Sequence, residues 1–392
     1  MRILMISTDF PYKSKDGTII QGGGSACIAQ LVEGLLKKNV ELAVVTRAEK
    51  NIDQELFKIP IYRTRFLYLG FRESKITHSL FSLPTAIKAI KEFNPDVIHS
   101  HNPPAALTGI ACAKLFHKPH FLTMHGPWSE VRIKGIKKTI AEKIERFVLK
   151  HVDIITCDSI ALKNQLEHKY KIKAVAIQNA VDKNYYSKIQ KSNARSLLNI
   201  KTRDKIILFT GRFVAEKGLD TLLTAASNLL NRRKDITLLL IGGGFDEKIV
   251  HGWLGRNRNY KNKILTIPFL RHELMKTAYC ASDVFVLPSL AEGLSRSLME
   301  AMLFGLPSIA TAVGGNMELL ENNRGILVKS KDSKELAQAI SKVLADREIA
   351  NKIAKNGRSY VINNLTVEKR ISKFITSYNR IKTQDRKLKT GD

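Results

Sequence analysis

The first half of the chain alternates short apolar runs with segments whose apolar residues have helical spacing. Residues 2–7 form an apolar run, a glycine-rich loop follows at 21–25, and a segment at about 26–38 carries its apolar residues on one helical face. A second apolar run lies at 41–46. This order predicts a strand, a loop, a helix and a strand, which is the βαβ unit of a parallel sheet covered on both faces.

The second half repeats the order, with an apolar run at 205–210, a loop at 211–218, a helical segment at 219–231 and a further run at 236–244. Additional apolar runs predict strands at 96–101, 120–125, 153–158 and 174–179 in the first half and at 263–268, 283–288, 307–311 and 325–328 in the second. Two doubly wound α/β domains with parallel sheets are therefore expected in tandem.

The boundary between these domains is placed near 183–200, where the sequence is polar and unpatterned. We predict a first domain at 1–185 and a second at 200–365. A final helical segment at 366–392 ends in a polar, basic tail.

The composition is that of a soluble globular protein, with 392 residues, 44% hydrophobic and 26% charged. No apolar run is long enough to span a bilayer, and the opening run is too short for a signal peptide because it meets Asp9 at once. The four cysteines are scattered, which predicts neither a disulfide framework nor a zinc site. A reducing cytoplasm is the expected location.

The formal net charge of +28 is spread over both halves of the chain. Such a surface favours anions, which include phosphorylated substrates, acidic lipid headgroups and nucleic acid. Solubility alone explains the charge equally well.

Two acids, Glu292 and Glu300, stand eight residues apart near a helix predicted to begin at about Ser295. Glu292 then lies on the loop that enters the helix, and Glu300 lies inside it. Free N–H groups of the first helical turn face open space between the two acids. This arrangement suits a ligand with sugar hydroxyls and phosphate oxygens.

The loop GRFVAEKG at 211–218 places Arg212 and Lys217 directly after a strand, where open parallel sheets bind ligands. Both cations suit a diphosphate, although a solvated basic loop is the alternative. No D-x-D pair occurs in the sequence, so a metal-bridged diphosphate lacks evident ligands.

The glycine run at 22–24 precedes a helix and allows close approach of a phosphate or a sugar, but a tight turn explains it equally well. His125 follows a strand in the run TMHG. A structural role is the more common one for a single histidine, and His99 and His101 compete with His125 for a functional one.

A basic helix is predicted at 132–150, with an apolar stripe on one face. The apolar residues of the stripe are Ile133, Ile136, Ile140, Ile144, Phe147 and Val148. We interpret the stripe as packing on the sheet. The basic face remains available to an anionic membrane.

Taken together, these motifs resemble the retaining glycosyltransferases of the GT-B fold, glycosyltransferase family 4 (GT4, glycosyl transferases group 1). The resemblance covers nearly the whole chain, and nine motifs occur in the family's order. They are the GGG loop, PDVIHSH (95–101), TMHG (123–126), QNAVD (178–182), GRFVAEKG (211–218), LLLIGGG (238–244), ASDVFVLPS (281–289), the E-x₇-E run (292–300) and TAVGGNMELL (311–320).

The resemblance implies two Rossmann-like domains that face a central cleft, with the last helix crossing back to the first domain. The first domain would bind the acceptor and the second a nucleotide-sugar donor, without metal or other cofactor. The implied catalytic residues are His125 beside the transferred sugar, Arg212 and Lys217 on the donor diphosphate, and Glu292 on the sugar hydroxyls. The implied donor-binding residues are Gly23, Gly24, Gly211, Gly244, Gly293, Leu294, Ser295 and Glu300, the last on the ribose.

The expected activity is hexosyl transfer from a UDP- or GDP-sugar to a hydroxyl of a glycan or lipid-linked acceptor. Polysaccharide or lipopolysaccharide synthesis for the cell envelope is the expected setting, at the inner face of the cytoplasmic membrane. The chain departs from the family pattern at Ala180, at Pro268-Phe269-Leu270 and at Ser295-Arg296-Ser297, which leaves the base and the sugar open.

Three alternatives remain. A nucleotide-sugar epimerase on the same fold would need no second substrate. A catalytically inactive scaffold is disfavoured by the intact set Arg212, Lys217, Glu292 and Glu300. A nucleic-acid-binding protein is disfavoured because the sequence lacks an aromatic and basic stacking platform.

Overall fold

A computed structural model describes residues 1–15, 19–20, 23–49, 52–65, 73–126, 128–129, 135–244 and 247–390, without the side chains of 20, 73–75 and 382–390. The chain divides into two compact units. Unit 1 comprises Met1–Asn179 and Val367–Asp392, and unit 2 comprises Ala180–Thr366.

Unit 1 is built on a parallel sheet. Its described strands are β1 (Arg2–Ile6), β2 (Tyr12–Ser14), β3 (Ile19–Ile20), β4 (Glu41–Arg47), β5 (Ile52–Glu55), β6 (Ile61–Thr64), β7 (Val97–His101), β8 (His120–Met124), β9 (Ile154–Cys157) and β10 (Val175–Ala176). Among them, seven form a parallel sheet in the order β10-β9-β8-β7-β1-β4-β6, and β3-β2-β5 form a small antiparallel sheet. The helices that follow these strands are α1 (Gly23–Leu36), α2 (Glu73–Phe93), α3 (Asn102–Phe116), α4 (Ile136–Lys150) and α5 (Ile160–Tyr170).

Unit 2 has a second parallel sheet. Its described strands are β11 (Lys205–Thr210), β12 (Ile236–Ile241), β13 (Ile264–Ile267), β14 (Val284–Leu287), β15 (Ser308–Thr311) and β16 (Ile326–Val328), in the order β13-β12-β11-β14-β15-β16. Its helices are α6 (Lys191–Leu197), α7 (Leu219–Leu230), α8 (Glu247–Arg256), α9 (His272–Ala281), α10 (Arg296–Leu303), α11 (Gly315–Leu320), α12 (Ser333–Ala345) and α13 (Arg347–Asn364). Short 3-10 turns lie at Lys183–Tyr185, Ala215–Lys217 and Arg258–Lys263.

The central strands β1 and β14 are almost wholly apolar because both faces of each sheet are covered. Every residue of 3–6 in β1 and of 284–287 in β14 is 0% exposed. An alternating pattern would have left one face in water. The predicted doubly wound parallel architecture is therefore confirmed in both units.

The last helix, α14 (Val367–Thr390), belongs to unit 1, as the resemblance implies. Phe374 and Tyr378 are fully buried there. A Cβ on Gly34 of α1 would lie 2.4 Å from Ile371 Cγ1, so the two helices approach closely only because position 34 is glycine. The Arg370 guanidinium donates to the Cys27 carbonyl at 3.0 Å.

The polar segment at 183–200 is not a simple linker, because it contains α6 and belongs to unit 2. The segment folds without an apolar sequence pattern because Arg195 holds it through polar contacts. Its guanidinium donates to the carbonyl oxygens of Ala281 at 3.1 Å and Asp204 at 2.8 Å, and to the Asp283 carboxylate at 3.1 Å.

Two further features of unit 1 differ from the expectation. The strand predicted at 174–179 is reduced to β10, and the apolar stripe of α4 does not pack on the sheet throughout, since Ile136 and Ile140 are 80% and 50% exposed. Within the described residues, no helix combines the length and the apolar character that crossing a bilayer requires.

Candidate active site

Three loops of unit 2 follow the carboxyl ends of the neighbouring strands β12, β11 and β14 and pack backbone to backbone. Gly218 has φ +65°, and a Cβ there would lie 2.0 Å from the Pro288 carbonyl oxygen. Gly242 has φ +136°, and its Cβ would lie 1.9 Å from the carbonyl oxygen of Gly211. Glycine is required at both positions, and the loops meet at the edge where parallel sheets bind ligands.

Lys217 and Glu292, which belong to two of these loops, form an ion pair. The Nζ–Oε1 distance is 2.6 Å, and the two side chains are 20% and 9% exposed. Ser289 Oγ donates to the same Glu292 oxygen at 2.6 Å. The Leu290 amide donates to the Glu216 carbonyl at 2.7 Å, which ties the two loops together. Residues 75 positions apart in sequence are thus joined at one site.

Arg212 lies exposed on the loop that carries Lys217. Within the described part of the chain, its guanidinium has no hydrogen bond or ion pair. The amides of the predicted donor-binding glycines are occupied, since Gly211 N–H donates to the Ile241 carbonyl at 3.0 Å and Gly244 N–H to Glu247 Oε1 at 3.0 Å. These two glycines can serve a ligand by close backbone approach rather than by their N–H groups.

The helix predicted to begin near Ser295 is α10, with Ser295 as its N-cap. Ser295 Oγ accepts from the Leu298 amide at 3.4 Å, so this first-turn N–H group is not open to a ligand, contrary to the expectation. The Leu294 side chain is buried in the core of unit 2, and the Gly293 carbonyl accepts from the Gly315 amide at 2.8 Å. A donor could meet 293–295 mainly through their backbone.

Glu300 lies inside α10 and is 6% exposed. Its Oε1 accepts from Arg296 Nε at 2.8 Å, and its Oε2 accepts from the Tyr279 hydroxyl at 2.9 Å. Arg296 Nη2 is 2.9 Å from His272 Nε2. Arginine only donates, so His272 Nε2 accepts this bond, and the same nitrogen lies 3.3 Å from Glu300 Oε1.

These partners keep Glu300 ionised. Burial alone would raise its pKa, but the Arg296 charge, followed by the His272 contact and the Tyr279 hydrogen bond, outweighs burial and lowers the pKa to about 2. Burial, followed by the Glu300 charge, raises the pKa of Tyr279 well above its ordinary value, so Tyr279 remains a donor.

His125 directly follows β8 in unit 1 and is surrounded by polar groups from neighbouring strand ends. Its amide donates to Asn102 Oδ1 at 3.0 Å, and its Nε2 lies 3.0 Å from His101 Nδ1. Its Nδ1 lies 4.0 Å from Asp158 Oδ2, which accepts from Asn179 Nδ2 at 3.2 Å.

Burial, followed by the charges of His99 and His125, lowers the pKa of His101 well below its ordinary value. His101 is therefore neutral. Between His101 Nδ1 and His125 Nε2 one nitrogen donates and the other accepts.

Gly23 and Gly24 begin α1 in unit 1 and are exposed. A Cβ at either residue, or at Gly126 after His125, would meet nothing within 4 Å. Gln21 and Gly22 lie outside the described residues. Among the residues that are described, no group of His, Cys, Asp and Glu side chains is arranged to hold a metal ion.

Two family models match successive parts of the chain. Glycosyltransferase Family 4 matches residues 21–185, and Glycosyl transferases group 1 matches residues 190–360. The chain is a GT-B glycosyltransferase of the family 4 type. The loops that carry Lys217 and Glu292 lie within the second match.

Similar proteins cover most of this glycosyltransferase. UDP-Gal:alpha-D-GlcNAc-diphosphoundecaprenol alpha-1,3-galactosyltransferase from Escherichia coli is 26% identical over 78% of this chain and 81% of its own. Sucrose-phosphate synthase from Thermosynechococcus elongatus has a TM-score of 0.85 at 22% identity, over 97% of this chain and 98% of that one. Anabaena HepE in complex with UDP-glucose has a TM-score of 0.77 at 20% identity, over 96% and 100%. The two solved structures establish the GT-B fold.

The structure brings together part of what the sequence predicts in this glycosyltransferase. Lys217 and Glu292 meet in unit 2, whereas His125, Gly23 and Gly24 belong to unit 1. The partners that sequence reasoning missed are Ser289, Tyr279, Arg296, His272, Asn102 and Asp158. A strand-end signal was present for Asp158, since it directly follows β9, and the neighbouring strand β8 directly precedes His125.

Proposed function

We propose that this glycosyltransferase is a retaining enzyme that moves a hexose from a nucleoside-diphosphate donor to a hydroxyl of a glycan or lipid-linked acceptor. The observation that carries the proposal is the Lys217–Glu292 ion pair at 2.6 Å, on loops at the carboxyl edge of the unit 2 sheet. A cation and a carboxylate held together there offer one group to phosphate oxygens and another to sugar hydroxyls.

The exposed Arg212 guanidinium adds a second cation on the same loop. Arg212 and Lys217 neutralise the charge that develops on the departing diphosphate, which is electrostatic stabilisation without metal or another cofactor. Glu292 binds hydroxyls of the transferred sugar, and Glu300 binds the ribose. The backbone at 293–295, with Gly211 and Gly244, lines the donor.

In this scheme the bond between the anomeric carbon and the phosphate oxygen breaks while the acceptor hydroxyl forms a new bond on the same face. The hydroxyl proton passes to the departing phosphate oxygen. His125, with Gly23 and Gly24, lies beside the sugar, where its backbone and ring orient the reacting centre. Asp158 and His101 hold that ring.

The similar proteins support a UDP-sugar donor, with a GDP-sugar as the second candidate. HepE is described with UDP-glucose, and the Escherichia coli relative uses UDP-Gal and an undecaprenol-linked acceptor. We assign the enzyme to cell-envelope polysaccharide or lipopolysaccharide synthesis, at the cytoplasmic face of the membrane where such lipid-linked acceptors lie.

The test begins with a panel of nucleotide sugars in a thermal-shift assay, followed by calorimetry with the nucleoside diphosphate of the best donor. Arg212→Ala and Lys217→Ala should each weaken that binding by roughly tenfold or more, because each removes a charged hydrogen-bond donor. Arg203→Ala is the matched control, since Arg203 is exposed at the amino end of the same strand.

Transfer is then assayed with free and lipid-linked glycans, with and without EDTA, and the product's anomeric configuration is read by NMR. Retained configuration and EDTA-insensitive turnover support the proposal. Near-wild-type turnover in both variants contradicts the diphosphate role, and an isomerised nucleotide sugar without acceptor indicates an epimerase.

A further inference from the structure

Helix α4 of unit 1 presents an apolar ridge to solvent. Ile136, Ile140 and Phe147 are 80%, 50% and 45% exposed. Their spacing of four and seven residues places them on one face of the helix. The opposite face is anchored in the unit, where Val148 and Leu149 are buried.

The charges on the exposed part of this helix are predominantly positive. The basic residues of α4, all exposed, are Lys137, Lys138, Lys143, Arg146 and Lys150. Its two acids are occupied: Glu145 is 1% exposed and accepts from the Tyr170 hydroxyl at 2.7 Å, and Glu142 accepts from Lys169 Nζ at 3.0 Å. The exposed face of the helix therefore offers apolar groups and cations.

We propose that this face of α4 docks on an anionic phospholipid bilayer. Large apolar side chains at the ridge enter the boundary between headgroups and acyl chains, and the long basic side chains reach the phosphates beside them. The occupant is identified by charge complementarity, because anionic phosphates match the excess of cations beside the ridge and a neutral protein partner does not. The proposal does not depend on the transferase reaction.

Flotation of the full chain with vesicles of equal phosphatidylglycerol and phosphatidylcholine tests it, without donor or acceptor. The variant Ile136→Ser/Ile140→Ser/Phe147→Ser should bind at least about tenfold more weakly, because it removes most of the apolar contact. Lys143→Gln/Lys150→Gln should lose roughly 20-fold, at about fivefold per cation, and wild-type binding should fall in high salt.

Two controls match these variants. Leu197→Ser removes a side chain that is 70% exposed in unit 2, and Lys342→Gln/Lys352→Gln removes two exposed cations there. Both should bind like wild type. Far-UV circular dichroism should show every variant folded at the assay temperature, with some loss of thermal stability in the serine variant because Ile140 and Phe147 are half-buried.

Equal binding of wild type and the α4 variants to anionic vesicles would overturn the proposal, as would no binding by wild type. Light scattering tests the remaining alternative, in which this face of α4 is covered by a second copy of the chain. A concentration-dependent dimer that the serine variant abolishes would show that a second copy of the chain covers this face instead of a bilayer. Because the assay contains no nucleotide sugar, its failure leaves the proposed transferase function untouched.

Discussion

Replacement of Arg296 by methionine should destabilise unit 2 in a way that depends on pH. Arg296 makes the largest of the contributions that together outweigh the burial of Glu300 and keep the pKa of that carboxyl at about 2, against an ordinary value of 4.5. A difference of this size corresponds to roughly 3 kcal/mol of stability. Because the pKa is lowered by folding, this contribution is complete above pH 4.5 and is lost as the pH falls towards 2.

In Arg296→Met the burial of Glu300 is no longer offset, so the pKa of Glu300 rises. We expect a loss of about 3 kcal/mol in the free energy of unfolding at pH 7, the lower end for a broken buried ion pair because the Arg296 side chain is 24% exposed. Below the raised pKa the variant protonates Glu300 while the wild type does not. The difference then shrinks by about 1.4 kcal/mol per pH unit.

The assay uses the fact that the chain contains only two tryptophans, Trp128 and Trp253. Trp253 is 8% exposed and lies in the core of unit 2. In a Trp128→Phe background, its fluorescence reports urea unfolding of unit 2 alone, which avoids treating two units as one transition. Unfolding is measured from pH 7 to pH 3.

Two variants control this measurement. Arg232→Met removes an exposed arginine after α7 and should change stability by less than about 0.5 kcal/mol. Arg296→Met/Glu300→Gln, compared with Glu300→Gln, measures the pH dependence that does not come from Glu300, which includes any change at His272 beside Arg296. A loss below about 1 kcal/mol at pH 7, or one that stays constant down to pH 3, would refute the electrostatic account of Glu300.

Two further predictions concern single contacts. Tyr378→Phe removes the hydroxyl that donates to His99 Nδ1 at 2.7 Å in the buried core of unit 1. The free energy of unfolding should fall by about 1–3 kcal/mol. The loss is measured as faster hydrogen exchange in residues 367–381. Gly314→Ala places a Cβ 2.0 Å from the Glu292 carbonyl oxygen at φ +48°. It should lower the stability of unit 2 by at least about 2 kcal/mol and weaken nucleotide binding. Gly255→Ala is the control, because a Cβ there meets nothing within 4 Å and should change neither property.

The strands of unit 2 could be predicted to within one or two residues, apart from the glycine loop 242–244 included at the end of β12, because fully buried parallel strands are apolar at every position. The small antiparallel sheet could not, since β5 reads Ile-Asp-Gln-Glu and is largely exposed. Helix α6 was missed because polar bonds from Arg195 hold it. Periodicity located α4 but not the face it buries, because the helix carries apolar residues on two faces.

The candidate site was predictable only as far as the strand-end rule reaches. That rule places Lys217 and Glu292 at one edge of a sheet, but it says nothing of a 2.6 Å ion pair across 75 residues. The contact between His101 and His125 could not be predicted from the sequence either. Both histidines were recognised as candidates, and only the folded geometry shows that they bond to each other.

The ion pair between Lys217 and Glu292 does not compete with the roles proposed for them. An ammonium group has three N–H donors, and one of them is occupied by Glu292 Oε1. That oxygen also accepts from Ser289, and within the described residues Glu292 Oε2 has no hydrogen bond, so it remains open to a sugar hydroxyl. Under the proposed function, the pair fixes a flexible lysine before the diphosphate arrives, which lowers the entropy lost on binding. Lys217→Arg should therefore retain nucleotide binding only in part, because its longer planar group cannot keep the same contact with Glu292.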